Sequence, residues 1–166
     1  ALDFDGSNDY IDIPNGYNDF AKGCTISLWA YPTAVKNWER FIDFGNGSAS
    51  DNIWFGRRSN SNDLAFECWS GGSNTGQVTA TGAIALDEWQ MFTATVDGNG
   101  NGKLFKNGQP VSTGTTYPTS VTRTNNYIGR SNWSADEYFQ GYMDDIRIYN
   151  YPLSDSEVMN LYTGGS

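Results

Sequence analysis

The chemistry of this 166-residue chain concentrates in its tryptophans and the planar polar residues beside them. Trp38 precedes Glu39 and Arg40, Trp54 stands just before Arg57 and Arg58, Trp69 follows Glu67 by two residues, and Trp133 sits in Ser131-Asn132-Trp133-Ser134. An indole stacks on the C–H face of a sugar ring, while guanidinium, amide and carboxylate groups make in-plane hydrogen bonds to its hydroxyls, so the mixture suits a carbohydrate. Trp54, Arg57, Glu67, Trp69, Asn132 and Trp133 are therefore the candidate binding residues. Period 2 puts Glu67 and Trp69 on one strand face, but it separates Trp54 from Arg57 unless a bulge or the turn at Gly56 intervenes. Tryptophan also fills cores: Trp29 and Trp89, set in apolar alternation, are expected to be mostly buried and the other four partly exposed. Arg57 and Arg58 point to an anionic or sulphated polysaccharide, because guanidinium matches sulphate and carboxylate geometry.

Other chemistries are excluded or weakened by what is missing. The chain has no histidine, which removes the usual serine-hydrolase triad and histidine-ligated zinc. Cys24 and Cys68 are the only thiols; they form one disulfide or stay free as small buried residues, and an all-cysteine zinc site is impossible. No closely spaced Glu-x-Asp-x-Glu strand occurs, and Asp43, Glu67, Asp87, Glu88, Asp136 and Glu137 are scattered, so the chain does not read as an enzyme. Asp97 to Gly102 satisfies positions 1, 3, 5 and 6 of an EF-hand loop but has Gly108 at position 12, and reads instead as a Gly- and Asn-rich hairpin. Acidic segments at both chain ends, Asp3, Asp5, Gly6 and Asp9 with Asp144 and Asp145, are a better place for a cation, although adjacent aspartates on a strand face opposite ways without a bulge. Composition alone reads them as solvated turn carboxylates. A net charge of −9 with no basic stripe argues against nucleic acid and anionic membrane surfaces, and no run of about 18 apolar residues offers a membrane span.

The elements that must position these residues are strands. Cys24, Ile26, Leu28 and Ala30 alternate with Thr25, Ser27, Trp29 and Tyr31, and period 2 recurs in about ten short segments separated by Gly, Asn, Asp and Pro. With no long amphipathic stretch between them, they form an antiparallel sandwich rather than βαβ units. Asn107-Gly108 has the composition of a type I′ hairpin. Ser154 with Glu157 three residues on is a capping box opening one short C-terminal helix. Residues 1–166 read as a single domain, an excised or processed soluble one of extracellular composition.

Leu2-Asp3-Phe4-Asp5-Gly6 with Asp9-Tyr10-Ile11, Thr25 to Trp29, Trp89 to Val96 before Lys106-Asn107-Gly108, Tyr127-Ile128-Gly129, and Gly141 to Tyr149 followed by Pro152-Leu153-Ser154 and Glu157 together resemble the laminin G-like, concanavalin A-like jelly roll of bacterial type. The resemblance implies an all-β, two-sheet antiparallel β-sandwich. It implies a carbohydrate-binding module tethered to other domains of a larger secreted or cell-surface chain, with a structural calcium ion (Ca2+) held by Asp5, Gly6, Asp9 and Asp145. An adhesion or protein-interaction domain is the alternative, because fold does not fix function.

Overall fold

The computed structural model describes residues 1–164. Twelve strands form two six-stranded antiparallel sheets. The first has β1 (Leu2–Asp5), β12 (Gln140–Tyr149), β3 (Gly23–Pro32), β8 (Gln90–Asp97), β9 (Asn101–Lys106) and β10 (Gln109–Thr115) in that spatial order. The second has β2 (Ile11–Ile13), β11 (Asn125–Ile128), β4 (Arg40–Gly45), β5 (Ile53–Arg58), β6 (Asp63–Ser70) and β7 (Ser73–Ala80). The sequence pattern located ten of these segments, along with the β9–β10 hairpin, whose Asn107 and Gly108 both take positive φ, 51° and 78°. β1 is only four residues long, and β10 has no inward apolar residues to alternate, its one large apolar side chain, Val111, being exposed.

Each sheet buries one face. Cys24, Ile26, Leu28 and Ala30 of β3 meet Phe92, Ala94 and Val96 of β8, and Ile53, Phe55, Leu64 and Phe66 of the second sheet close on them. Phe41 stacks on Phe92 across the interface at 5.5 Å and 12°. Cys24 and Cys68 lie in this layer as free thiols; burial pushes Cys24 up to about 12, so it stays protonated. Arg57 shares the inward parity of Ile53 and Phe55, and its Nε donates to Glu39 Oε1 at 2.6 Å. Both side chains are fully buried.

The outer faces are partly covered as well. Helix α1 (Asp155–Tyr162), opened by the Ser154–Glu157 capping box, packs Val158 against Met91 and Phe105 of the first sheet. Trp89 shares the outward parity of Met91 rather than the inward parity of Phe92, and it is 43% exposed, contrary to its expected burial. Across the second sheet the register aligns Tyr127, Asp43, Trp54, Glu67 and Gln77 in one row on the outer face. The unpaired margins of the sandwich are slight: β1 and β2 have four and three residues, and β10 begins with a register shift after Pro110. Ser112 of β10 donates to the Thr79 carbonyl of β7 at 2.6 Å, joining the two sheets along that side.

A register shift between Arg40 and Ile42 bends β4 over β5, and the Arg57 amide donates to the Glu39 carbonyl at 2.9 Å. The approach is so close that a Cβ built on Gly56 would stand 2.3 Å from that carbonyl oxygen. Because backbone cannot step aside as a side chain can, Gly56→Ala is expected to destabilise by about 1–3 kcal/mol, read as a fall of several degrees in thermal melting. An unchanged melting temperature would show that β4 does not depend on this contact.

Candidate functional site

The outer row of the second sheet opens into a groove of about 360 Å³, with Trp54, Glu67 and Arg40 in its floor and Trp38, Trp69 and Trp133 around it. Asn74 and Asp136 complete the lining. Arg40 is only 2% exposed although it lies on the outer face. Its guanidinium carbon sits 3.8 Å above the centre of the Trp54 ring and 5.5 Å from that of Trp133. Nη1 donates to the Trp38 carbonyl at 2.5 Å, Nη2 pairs with Asp136 Oδ2 at 3.1 Å, and Nε faces Asp43 Oδ2 at 3.7 Å without a hydrogen bond of its own. Burial lowers the Arg40 pKa from its ordinary value, and Asp43 and Asp136 oppose the shift.

Asp43 is fully buried. Desolvation pushes its carboxyl up to about 6, against the pull of Arg40 and of the Asn132 N–H. That N–H donates to Oδ2 at 2.9 Å and Asn52 Nδ2 donates to Oδ1 at 3.2 Å. Asp136 accepts from Ser131 Oγ at 2.7 Å, and Ser131 Oγ accepts from the Trp133 N–H at 3.0 Å, so the loop carrying Trp133 is fastened to the Arg40 cluster. Burial raises Asp136 too.

Glu67 organises the other wall. Its Oε2 accepts from Trp54 Nε1 at 2.7 Å and Trp69 Nε1 at 2.8 Å, and Oε1 accepts from Gln77 Nε2 at 3.0 Å and from Asn74 Nδ2. Four donors on one carboxylate leave it a positioning group for two indoles. Trp69 then meets Trp133 at 5.6 Å and 54°, forming one corner of the groove. Trp38, in the left-handed region at φ 56°, crosses Trp54 edge-on at 6.0 Å.

Of the sequence-derived candidates, Trp54, Glu67, Trp69 and Trp133 converge here. Trp54 is the floor, 1% exposed rather than partly open, because Arg40 lies over it. Arg57 is elsewhere: β5 is regular, so the side chain points inward, where Glu39, the Ser61 carbonyl and Asn62 Oδ1 satisfy it. Asn132 does not line the groove; its amide donates to the Asn125 carbonyl and its backbone anchors Asp43. Arg40, Asp136 and Asn74 were not singled out. The adjacency of Trp38 and Arg40 was visible, but the register shift that turns both into the groove was not.

The proposed calcium ligands are not brought together. Asp5 pairs with Gln140 in register, so Asp145 stands five residues along β12, roughly 17 Å away at about 3.3 Å per residue. Asp5 Oδ1 instead accepts from the Ser7 and Asn8 N–H groups, which lowers its pKa. Asp9 Oδ2 accepts from the Asp5 N–H, and Asp145 holds Arg147 at 2.9 Å. Asp5, Gly6, Asp9 and Asp145 therefore do not fit one coordination shell. Among the described residues no cluster of three or more His, Cys, Asp or Glu is arranged to hold a metal ion.

The family profile described as the concanavalin A-like lectin/glucanases superfamily matches residues 5–159. No curated protein matches the sequence. Among solved structures, the CBM40 of the Ruminococcus gnavus IT-sialidase bound to α2,3-sialyllactose superposes with a TM-score of 0.72 at 17% identity, covering 96% of this chain and 97% of that one. Domain 4 of AbnA, a GH43 extracellular arabinanase from Geobacillus stearothermophilus, in complex with arabinotriose, gives 0.70 at 23%, covering 92% and 72%. A heptameric SAP-like pentraxin from Limulus polyphemus gives 0.69 at 14%, covering 96% and 80%. At these identities the likeness is one of fold.

The buried acids set a pH dependence. Asp43 lies at about 6 and Glu39, desolvated with Oε2 unpartnered, at about 7, both above their ordinary values of 3.8 and 4.5. The folded state holds these protons more tightly than the unfolded chain, so stability falls as pH rises from about 4 to 7. No histidine adds a competing step. Asp5 and Asp97 are lowered instead, and their contribution disappears below the ordinary carboxylate range. Thermal melting is thus expected to peak near pH 4 and decline on both sides, with Asp43→Asn flattening part of the upper slope. Melting temperatures that rise steadily from pH 5 to 8 would contradict the assignment.

Proposed function

Because the chain belongs to the concanavalin A-like lectin/glucanases superfamily, we propose that it is a non-catalytic module that binds a neutral polysaccharide in the tryptophan-walled groove. One observation carries this reading. Half-buried Trp38, Trp69 and Trp133 surround the polar groups of Asn74 and of Asp136, the latter paired with the buried Arg40, the combination of π faces and in-plane donors and acceptors that pyranose or furanose rings require. Stacking surfaces and hydrogen-bonding groups are held before any ligand arrives, which reduces the ordering cost of binding.

Charge favours a neutral ligand. The inward turn of Arg57 removes one of the two arginines behind an anionic or sulphated reading, exposed Arg58 lies outside the groove lining and donates to Gln77, and Arg40, the cation in that lining, is flanked by Asp43, Asp136 and Glu67. An incoming sulphate would have to displace a carboxylate from Arg40. Catalysis is disfavoured for a related reason: both oxygens of Glu67 are committed to neighbouring donors and Asp136 is paired with Arg40, leaving no free pair of carboxylates facing across the groove. A concave, ring-lined groove also fits a glycan better than the flat apolar patch of a protein interface.

The ligands of the structural neighbours, anionic sialyllactose and neutral arabinotriose, support carbohydrate as the ligand class, and the neutral preference rests on the groove's own charges. That one neighbour is a domain of an extracellular arabinanase supports placing this module on a secreted or cell-surface chain.

Affinity electrophoresis and calorimetry against neutral and sulphated polysaccharides test the proposal. Trp69→Ala and Trp133→Ala are each expected to weaken binding of the preferred neutral glycan about tenfold, equivalent to about 1.4 kcal/mol, with melting shifted by only a few degrees. Undiminished affinity in both variants, or tighter binding of sulphated chains than of neutral ones, would overturn it.

A further inference from the structure

The outer face of the first sheet carries a second aromatic surface, separated from the groove by the whole thickness of the sandwich. Trp29, Trp89, Asp144 and Asp145 line an open, shallow hollow of about 480 Å³. Adjacent strand residues ordinarily face opposite ways. Here β12 shifts register between Asp144 and Arg147, and Asp145 adopts φ 50°, so both aspartates reach the same hollow. Trp29 is backed by Tyr162 of α1, stacked at 5.6 Å and 20°.

The rings continue beyond the hollow. Tyr31 lies 5.8 Å from Trp89 on one side and 5.8 Å from Tyr142 on the other, making a row across three strands. Trp89 and Tyr142 are 43% and 39% exposed, which is unusual for large rings with no task in packing. Asp144 is 61% exposed at its side chain and stands 3.8 Å from the Ala1 amino group, while Asp145 is held by Arg147 at 2.9 Å.

We propose that this surface is a second binding site, for a sugar bearing a free ammonium group, such as an oligomer of glucosamine. Asp144 Oδ1 accepts from the Asp145 N–H at 2.8 Å and Asp145 is paired with Arg147, so the ammonium competes with the Ala1 amino group, 3.8 Å away, for the exposed Oδ2 of Asp144. It gains charge-assisted hydrogen bonds there and the attraction of two indole faces. The apolar face of the same ring rests on Trp89, and the next residues of the chain follow Tyr31 towards Tyr142. An apolar protein partner would instead bury the aspartates at a desolvation cost. A cation no larger than a head group would leave the outer rings of the row unused. The inference goes beyond the neutral-glycan groove and does not depend on it.

Calorimetry and tryptophan fluorescence at pH 6 and low salt, with a glucosamine tetramer against its N-acetylated counterpart, decide the matter. The free-amine tetramer is expected to bind at least tenfold more tightly. Trp89→Ala and Tyr142→Ala should each weaken it several-fold, and the Asp144→Asn/Asp145→Asn double variant should abolish the preference. Trp133→Ala in the groove should leave binding unchanged. An Asp12→Asn/Asp19→Asn double variant, removing two exposed charges elsewhere, controls for attraction by the net charge of the chain. Equal affinity for the two tetramers, equal losses in the two double variants, or a loss in Trp133→Ala with none in Trp89→Ala would overturn the proposal.

Discussion

The site on the second sheet depends on keeping one guanidinium out of water. Arg40 lies on an outer face yet is 2% exposed, and a desolvated charge costs several kcal/mol unless its surroundings replace the lost hydration. Here they are an indole face, a backbone carbonyl and two carboxylates. Each of those groups is fixed by something further out. Asp43 gathers the Asn132 N–H and the Asn52 amide, and Asp136 gathers Ser131. The loop carrying Trp133 therefore folds over β4 as a consequence of solvating Arg40, and the groove wall follows from the same requirement.

Glu67 complements this arrangement from β6. One carboxylate oxygen receives two indole N–H groups, so the floor ring Trp54 and the wall ring Trp69 are oriented from a single point. The other oxygen ties Gln77 and Asn74 of β7 to the same point. Buried polar networks of this kind are stabilising only when every member is satisfied. The Glu67 wall is thus fixed from the sheet, while the Arg40 side of the groove leaves Nε without a hydrogen bond of its own and takes Trp133 from a loop.

Most of the sandwich was legible because period 2 is a local signal: β3 and β8 alternate without interruption, the Asn107-Gly108 turn requires positive φ, and the Ser154–Glu157 spacing caps α1. Two of the six groove candidates were legible for the same reason, since Glu67 and Trp69 share parity, whereas Trp54 opposite Glu67 and the Trp133 loop against Trp69 are set by register and tertiary contact. What failed were the non-local terms. Whether an outward tryptophan is covered depends on which distant segment crosses it, so Trp54 was buried by Arg40 and Trp89 left bare beyond α1. The two register shifts, at Arg40 in β4 and Asp144 in β12, change which residues share a face. Nor does acidity at both chain ends say anything of strand register, which sets Asp5 beside Gln140 and not beside Asp145.

The margins of the two sheets carry a consequence for crowding. An exposed edge strand is a template on which another chain can continue the ladder, and long flat edges invite fibril growth and domain exchange. On one side this sandwich presents four- and three-residue strands at β1 and β2. On the other, the longer edges β7 and β10 pack against each other, linked by the Ser112–Thr79 bond, and β10 is interrupted by the register shift after Pro110. Copies held close together, as on a densely decorated polymer, therefore meet through side chains rather than through unsatisfied backbone, and they can accumulate without polymerising edge to edge.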